Sequence, residues 1–292
     1  MMRSVHKYLY IAMILLSGCR PEPLEILLDQ HEPRPVVASH IIPEKELAVG
    51  LTRSFSPLSK PLEGDEVRPD FLDEILIRDA VVTVSYLGQT DTLRMVSPGV
   101  YVSDLTLVYD HGDYQLNVYD PSTGDRVSAL STMLPKVEFD TVYPVIQRLP
   151  GDTTIHVSYT ISDDPSTDNW YVIAYYNKTD ANAAPNLDLS DYFTRGSNQL
   201  RDVDLLSDKL FENGKYEATV QLENIGLQDT IAVVLSNISE GYFSFLHAYK
   251  KSGNILNQIT GEPINYPTNV VGGYGYFNTH NPDARIFDLN GY

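Results

Sequence analysis

Asp163, Asp164, Asp168 and Asn169 stand together in the stretch ISDDPSTDNW. Oxygen donors at that density suit Ca²⁺, a hard cation that takes about six to eight of them. The stretch lacks the D-x-[DN]-x-[DN]-G order of an EF-hand loop, and Asp-Pro is equally a signal for an ordinary turn. Calcium held by Asp163, Asp164 and Asp168 is the metal reading to test, with Asp104, Asp110 and Asp113 a weaker second group. Nucleophilic chemistry finds little to work with. No G-x-S-x-G elbow occurs, and His31, His40, His111, His156, His247 and His280 show no H-E-x-x-H or comparable spacing. Paired carboxylates could do acid–base chemistry, but with 39 Asp and Glu in the chain their abundance selects no pair. No catalytic residue is therefore assigned, and a non-enzymatic protein is expected. Near the C-terminus, Gly272, Gly273 and Gly275 alternate with Tyr274, Tyr276 and Phe277. Glycines permit positive φ or close backbone approach. The three aromatics are read either as a recognition surface or as part of a bulged final strand.

The one cysteine, Cys19, ends the run KYLYIAMILLSGC. Arg3 and Lys7 precede an uncharged stretch from Tyr8 to Leu16, which is too short to span a bilayer but fits the apolar region of a secretory signal. The closing Leu16-Ser17-Gly18-Cys19 resembles a bacterial lipobox, which implies cleavage after residue 18 and lipid on Cys19. Acyl chains add about 0.8 kcal/mol per buried CH₂, so such an anchor would hold the chain to a membrane. A single cysteine also leaves the fold without internal disulfides. Loss of residues 1–18 removes two basic side chains and no acidic one, taking the formal charge from −18 to −20. So acidic a chain lacks the basic footprint of a nucleic-acid binder.

These groups need elements to position them. Residues 19–45, rich in proline and charge, are read as a tether. Beyond it, period-two runs are separated by turn residues. Val82, Val84 and Tyr86 alternate in one strand, and Ile155, Val157, Tyr159 and Ile161 in another. Tyr216, Ala218, Val220 and Leu222 do the same, and Pro121-Ser122-Thr123-Gly124 reads as a hairpin turn. The pattern predicts an all-β chain of two immunoglobulin-like antiparallel β-sandwich domains, over 46–136 and 137–292. One helix is expected in the second, near 238–251, with Asn237 as N-cap, Glu240 three residues on, and Tyr242, Phe245, Leu246 and Tyr249 as an inward stripe.

The series LLSDKLFENGKY, SEGYFSFLHAY and EPINYPTNVVGGYGYF, preceded by IRDAVVTV, SPGVYVSD and ISDDPSTDNWYVIAYY, resembles an uncharacterised family of Bacteroidota outer-membrane lipoproteins, catalogued as domain of unknown function 4249. The resemblance runs over nearly the whole chain after Cys19. It implies an outer-membrane lipoprotein, lipid-anchored, that accompanies a TonB-dependent β-barrel receptor; it carries over no catalytic residue and no cofactor beyond the lipid. A stand-alone carbohydrate- or protein-binding module is the other expectation. Asp91-Thr92, Asp140-Thr141, Asp152-Thr153 and Asp229-Thr230 resemble the O-glycosylation tripeptide of Bacteroidota envelope proteins.

Overall fold

Apolar residues on alternate positions can bury one face of a strand, and two such sheets must bury their faces against each other. The chain does this twice. The computed structural model describes residues 32–41, 47–55, 62–63, 66–67, 69–104, 112–149, 152–178, 200–223, 225–251 and 266–292. The first strands are β1 Pro35–Ile41, β2 Leu47–Arg53, the short pair β3 Leu62–Glu63 and β4 Glu66–Val67, β5 Val81–Tyr86 and β6 Gln89–Thr92. Then follow β7 Arg94–Ser97, β8 Val100–Val102, β9 Asp113–Tyr119, β10 Arg126–Thr132, β11 Thr141–Leu149 and β12 Asp152–Ser162. The remainder are β13 Trp170–Lys178, β14 Leu200–Ser207, β15 Lys215–Leu222, β16 Thr230–Ile238, β17 Val270–Val271, β18 Tyr274–Tyr276 and β19 Asp283–Asp288. Helix α1 spans Pro69–Ile75 and helix α2 spans Glu240–Lys251.

The first sandwich stacks a sheet of order β18-β1-β2-β8-β7 on one of order β17-β10-β9-β5-β6. Its core holds Val37, Leu51, Val82, Leu116, Val127 and Phe277, among others. The predicted alternation in β5 is present: Val82 and Val84 are buried, and Tyr86 lies against the same core, stacked on Tyr114 at 4.3 Å. The second sandwich pairs β11-β12-β15 with β14-β13-β16-β19. Ile155, Val157, Tyr159 and Ile161 of β12 are all within its core, facing Tyr171, Ile173 and Val233. The change of core falls between Met133 and Phe139. The all-β, antiparallel sandwich architecture expected from the alternation is thus the one the chain adopts.

Three expectations change. The stretch assigned to a tether over 19–45 contains β1, which pairs along its whole length with β2 and is buried at Val37. Its proline occupies the first strand position, where a missing N–H costs no ladder bond. The division at 136 and 137 is not a division into contiguous halves, because residues of β17 and β18 leave the second sandwich and complete both sheets of the first. Residues 32–292 accordingly form one compact unit with two cores. Helix α2 begins one strand-end later than its predicted cap. Asn237 is buried at the end of β16 and donates to the Pro135 carbonyl, and Ser239 takes the capping role by accepting the Tyr242 N–H at 3.3 Å. Helix α1, with Pro69 at its first position and Asp70 in its first turn, buries Phe71 and Ile75 one turn apart.

Candidate functional site

The glycine–aromatic motif near the C-terminus is a strap between two sheets. β17 pairs antiparallel with β10, Val270 opposite Ala129, and four residues later β18 pairs parallel with β1, Gly275 opposite Val37. The crossing brings backbone against backbone. A Cβ on Gly272 would lie 2.4 Å from the Arg126 carbonyl oxygen, and one on Gly273 2.4 Å from that of Pro35. Phe277, expected among the recognition aromatics, is fully buried in the first core, so it presents nothing to a partner. Tyr276 joins a ring cluster on α2, with Tyr242 at 5.3 Å and Phe245 at 5.5 Å. Tyr274 alone of the three is exposed. The motif is thus chiefly architectural, because an aromatic at an inward strand position fills a core.

Asp163, Asp164 and Asp168 end β12 and begin the turn to β13, but they do not converge. Asp163 Oδ1 accepts from Asn169 Nδ2 at 2.9 Å and from the Tyr171 hydroxyl at 2.6 Å. Asp164 accepts the Ser166 N–H in an Asx turn, and that bond holds its carboxyl below the usual carboxylate range. Asp168 is exposed. Asp163 Oδ2 is buried and takes no hydrogen bond from the described residues, a single free oxygen where Ca²⁺ needs several. No three acidic, histidine or cysteine side chains form a metal-holding group among the described residues. Millimolar Ca²⁺ is expected to leave the melting temperature unchanged. A rise of several degrees, with heat on titration, would restore the calcium reading.

The second core contains a polar chain that sequence reasoning missed. The Tyr175 hydroxyl donates to Asp204 at 2.9 Å, and the Tyr159 and Tyr216 hydroxyls continue the line of hydrogen bonds. Burial, with the neighbouring Tyr159 and Asp204 adding to it, pushes Tyr175 far above the ordinary tyrosine range; burial does the same to Tyr159 and, with the Asp163 bond, to Tyr171. A tyrosine whose folded pKa is raised contributes stability that is complete below the unfolded value of 10.0 and is lost as pH rises through the folded one. Alkaline titration followed by near-ultraviolet absorbance should therefore show these three ionising only as the second core unfolds. Their titration at pH 10 in a chain with native circular dichroism would contradict the burial.

Two surfaces of the second sandwich are open. β11 and β19 are the outer strands of their sheets, and between them runs a groove of about 410 Å³ lined by Phe139, Asp140, Tyr143, Arg285 and Ile286. Tyr143 and Ile286 are 51 % and 62 % exposed, and Pro144 interrupts the free N–H row of β11. Around the corner, the outer face of β11-β12-β15 carries Thr141, Tyr143, Gln147, His156, Ser158 and Thr219 in cross-strand register, with the ion pair Lys215–Glu217 at one end of β15. His156 lies on this polar face as expected, its ring nitrogen 3.2 Å from Thr154 Oγ1. Of the threonines in the O-glycosylation-like tripeptides, Thr92, Thr141 and Thr153 are exposed and Thr230 is buried.

Cys19 lies outside the described residues. No helix among the described residues is long and apolar enough to cross a membrane. No family model matches the chain, and no curated protein is similar to it.

Proposed function

We propose that this chain is a lipid-anchored, non-enzymatic accessory subunit of a bacterial outer membrane, working beside a TonB-dependent β-barrel receptor in nutrient uptake. The observation that carries the reading is the lone cysteine closing ILLSGC after a short apolar run, with a long acidic chain behind it. The ordered motifs that resemble the outer-membrane lipoprotein family support it. Lipid on Cys19 would supply the membrane attachment, and the β-sandwich body would supply contact surface. The polar groups of the interior agree with that division of labour. Asp120, Asp163, Asp204 and Asp283 each accept hydrogen bonds from neighbouring side chains or backbone, which suits supports of a scaffold.

The test is co-purification. The protein is tagged at its C-terminus, outer membranes are solubilised in mild detergent, and the bound proteins are identified. One β-barrel receptor at near-stoichiometric yield is the expected result; the lipoprotein recovered alone would sink the receptor reading. Replacing Cys19 by serine should release the chain from the membrane fraction.

A second reading has its own observation. On a chain of net charge −18, the outer face of β11-β12-β15 is mostly uncharged, its Lys215 and Glu217 pairing with each other, and it carries threonine, serine and glutamine around Tyr143. Hydroxyl and amide groups beside an exposed tyrosine suit an uncharged carbohydrate. A stand-alone glycan-binding module predicts that Tyr143→Ala abolishes retention on neutral polysaccharide without lowering the melting temperature.

A further inference from the structure

The strap, residues 266–279, occupies a slot that is built for a strand. On one wall is β1, on the other β10, and each supplies a buried serine that bonds the strap's backbone. Ser39 Oγ accepts the Asn278 N–H at 2.6 Å and donates to the Asn278 carbonyl at 2.9 Å. Ser131 Oγ accepts the Thr279 N–H at 2.8 Å. Asn269 ties the strap to itself and to the wall: its side-chain amide donates to the Leu130 carbonyl at 2.8 Å, and its Oδ1 accepts the Phe277 N–H at 2.9 Å. Val270 and Phe277 fill the first core from this side. Gly272, Gly273 and Gly275 are what allow the strap to lie so close to both walls. The slot therefore has backbone pairing, buried hydrogen-bond partners, side-chain pockets and a required glycine pattern, the features by which a groove recognises an added strand.

The order in which the slot fills follows from the connectivity. In sequence the strap is flanked by elements of the second sandwich: α2 precedes it and lies against β13 and β14, and β19 follows it and pairs with β16. Ser39 and Asn278 are 239 residues apart in sequence. Contacts of such separation form late, because the closure entropy must first be offset by nearer contacts. Once the second sandwich has formed, the elements that flank the strap in sequence are fixed, and the loop that its docking must close is shorter.

We propose that the slot between β1 and β10 is a strand-binding site with residues 266–279 as its late-arriving occupant, so that the first sandwich closes only after the second has folded. The slot is specific for an extended peptide with inward apolar residues flanking a Gly-Gly-x-Gly core. This inference does not depend on the membrane anchor or on a receptor. Where the chain is exported unfolded, as its signal-like start implies, the order also keeps the first sandwich open until nearly the whole chain has crossed.

Pulse-labelled hydrogen exchange on the full chain during refolding tests the order, with the single tryptophan, Trp170 at the start of β13, reporting the second sandwich. Amides of β12, β13 and β16 should gain protection first. Those of β1 and β10 should gain it later, in one phase with β17 and β18. Protection of β1 and β10 ahead of β13 and β16 overturns the proposal. A second measurement tests the site. In full-length Gly275→Ala, the Trp170 transition should persist while β1 and β10 exchange more than about a hundredfold faster. A synthetic peptide of the natural sequence 266–279 should restore their protection. No rescue at millimolar peptide means that the slot is not a strand-binding site. Loss of the Trp170 transition in the variant means that the two sandwiches fold as one unit, which also overturns the order.

Discussion

Gly275→Ala is expected to lower the unfolding free energy by about 4 kcal/mol, among the largest effects of any single substitution in this chain. Two causes combine. The residue sits at φ +90°, where a side chain is strained, and its Cβ would stand 1.9 Å from the Val37 carbonyl oxygen. That oxygen belongs to β1, which is held by β2 on its other side, so it cannot retreat without disturbing a second ladder. Gly88→Ala separates the two causes. Gly88 has φ +76° with nothing within 4 Å of the added atom, so alanine there should cost only about 1 kcal/mol. Urea unfolding of the two variants measures the difference. Equal losses would show that conformation alone, and not the approach of β1, fixes the glycine.

That closeness also explains what could and could not be read from the sequence. Alternation in VVTVSY, IHVSYTI and YEATVQL is local, and each strand buried the face that its pattern indicated. Helix α2 was equally visible, because its ring stripe recurs at helical spacing within a single element. β1 was not visible. The prolines at and before its start resemble those of a linker, and beside its full-length pairing with β2 its other edge is completed by β18, from the far end of the chain. Of the two readings of Phe277, the final-strand one holds. Beside three glycines its ring suits a recognition loop as well as a strand, and the wall that buries it comes from strands earlier in the chain. In the acidic cluster the turn reading, and not the calcium one, describes the geometry: adjacent aspartates in a turn direct their oxygens to their own backbone and to Tyr171, so density along the sequence does not become convergence in space. The signal is Asp164 before Pro-Ser, a hydrogen-bonding habit that favours Asx turns.

Asp120 offers the other large effect, and its reach is between sheets. Its side chain is 2 % exposed at the end of β9, where Oδ1 accepts the Ser122 N–H at 2.9 Å and the Ser122 hydroxyl at 2.6 Å. Oδ2 pairs with the guanidinium of Arg53, which ends β2 in the opposite sheet and also reaches Ser122 Oγ at 3.0 Å and Asp125 at 3.4 Å. One arginine thus fastens the β9–β10 turn to the facing sheet. Asp120→Asn keeps the shape but leaves Arg53 without its buried partner, and a loss of about 3 kcal/mol is expected at neutral pH. Arg53→Lys keeps the charge without the fork and should lose less, about 1–2 kcal/mol. The pH dependence fixes the cause. Burial alone would raise the Asp120 carboxyl, but the Ser122 hydrogen bonds and Arg53 outweigh it, and the carboxyl titrates below the ordinary aspartate value of 3.8. A depressed carboxyl gives stability that is complete above the unfolded value and is lost as pH falls through the folded one. The advantage of the natural chain over Asp120→Asn should therefore be the same at about pH 5 as at neutrality, and should shrink only below 3.8. Chemical unfolding across that range, with the two proteins compared at each pH, decides it. An advantage already gone at about pH 5 would mean that the clasp does not hold the carboxylate ionised.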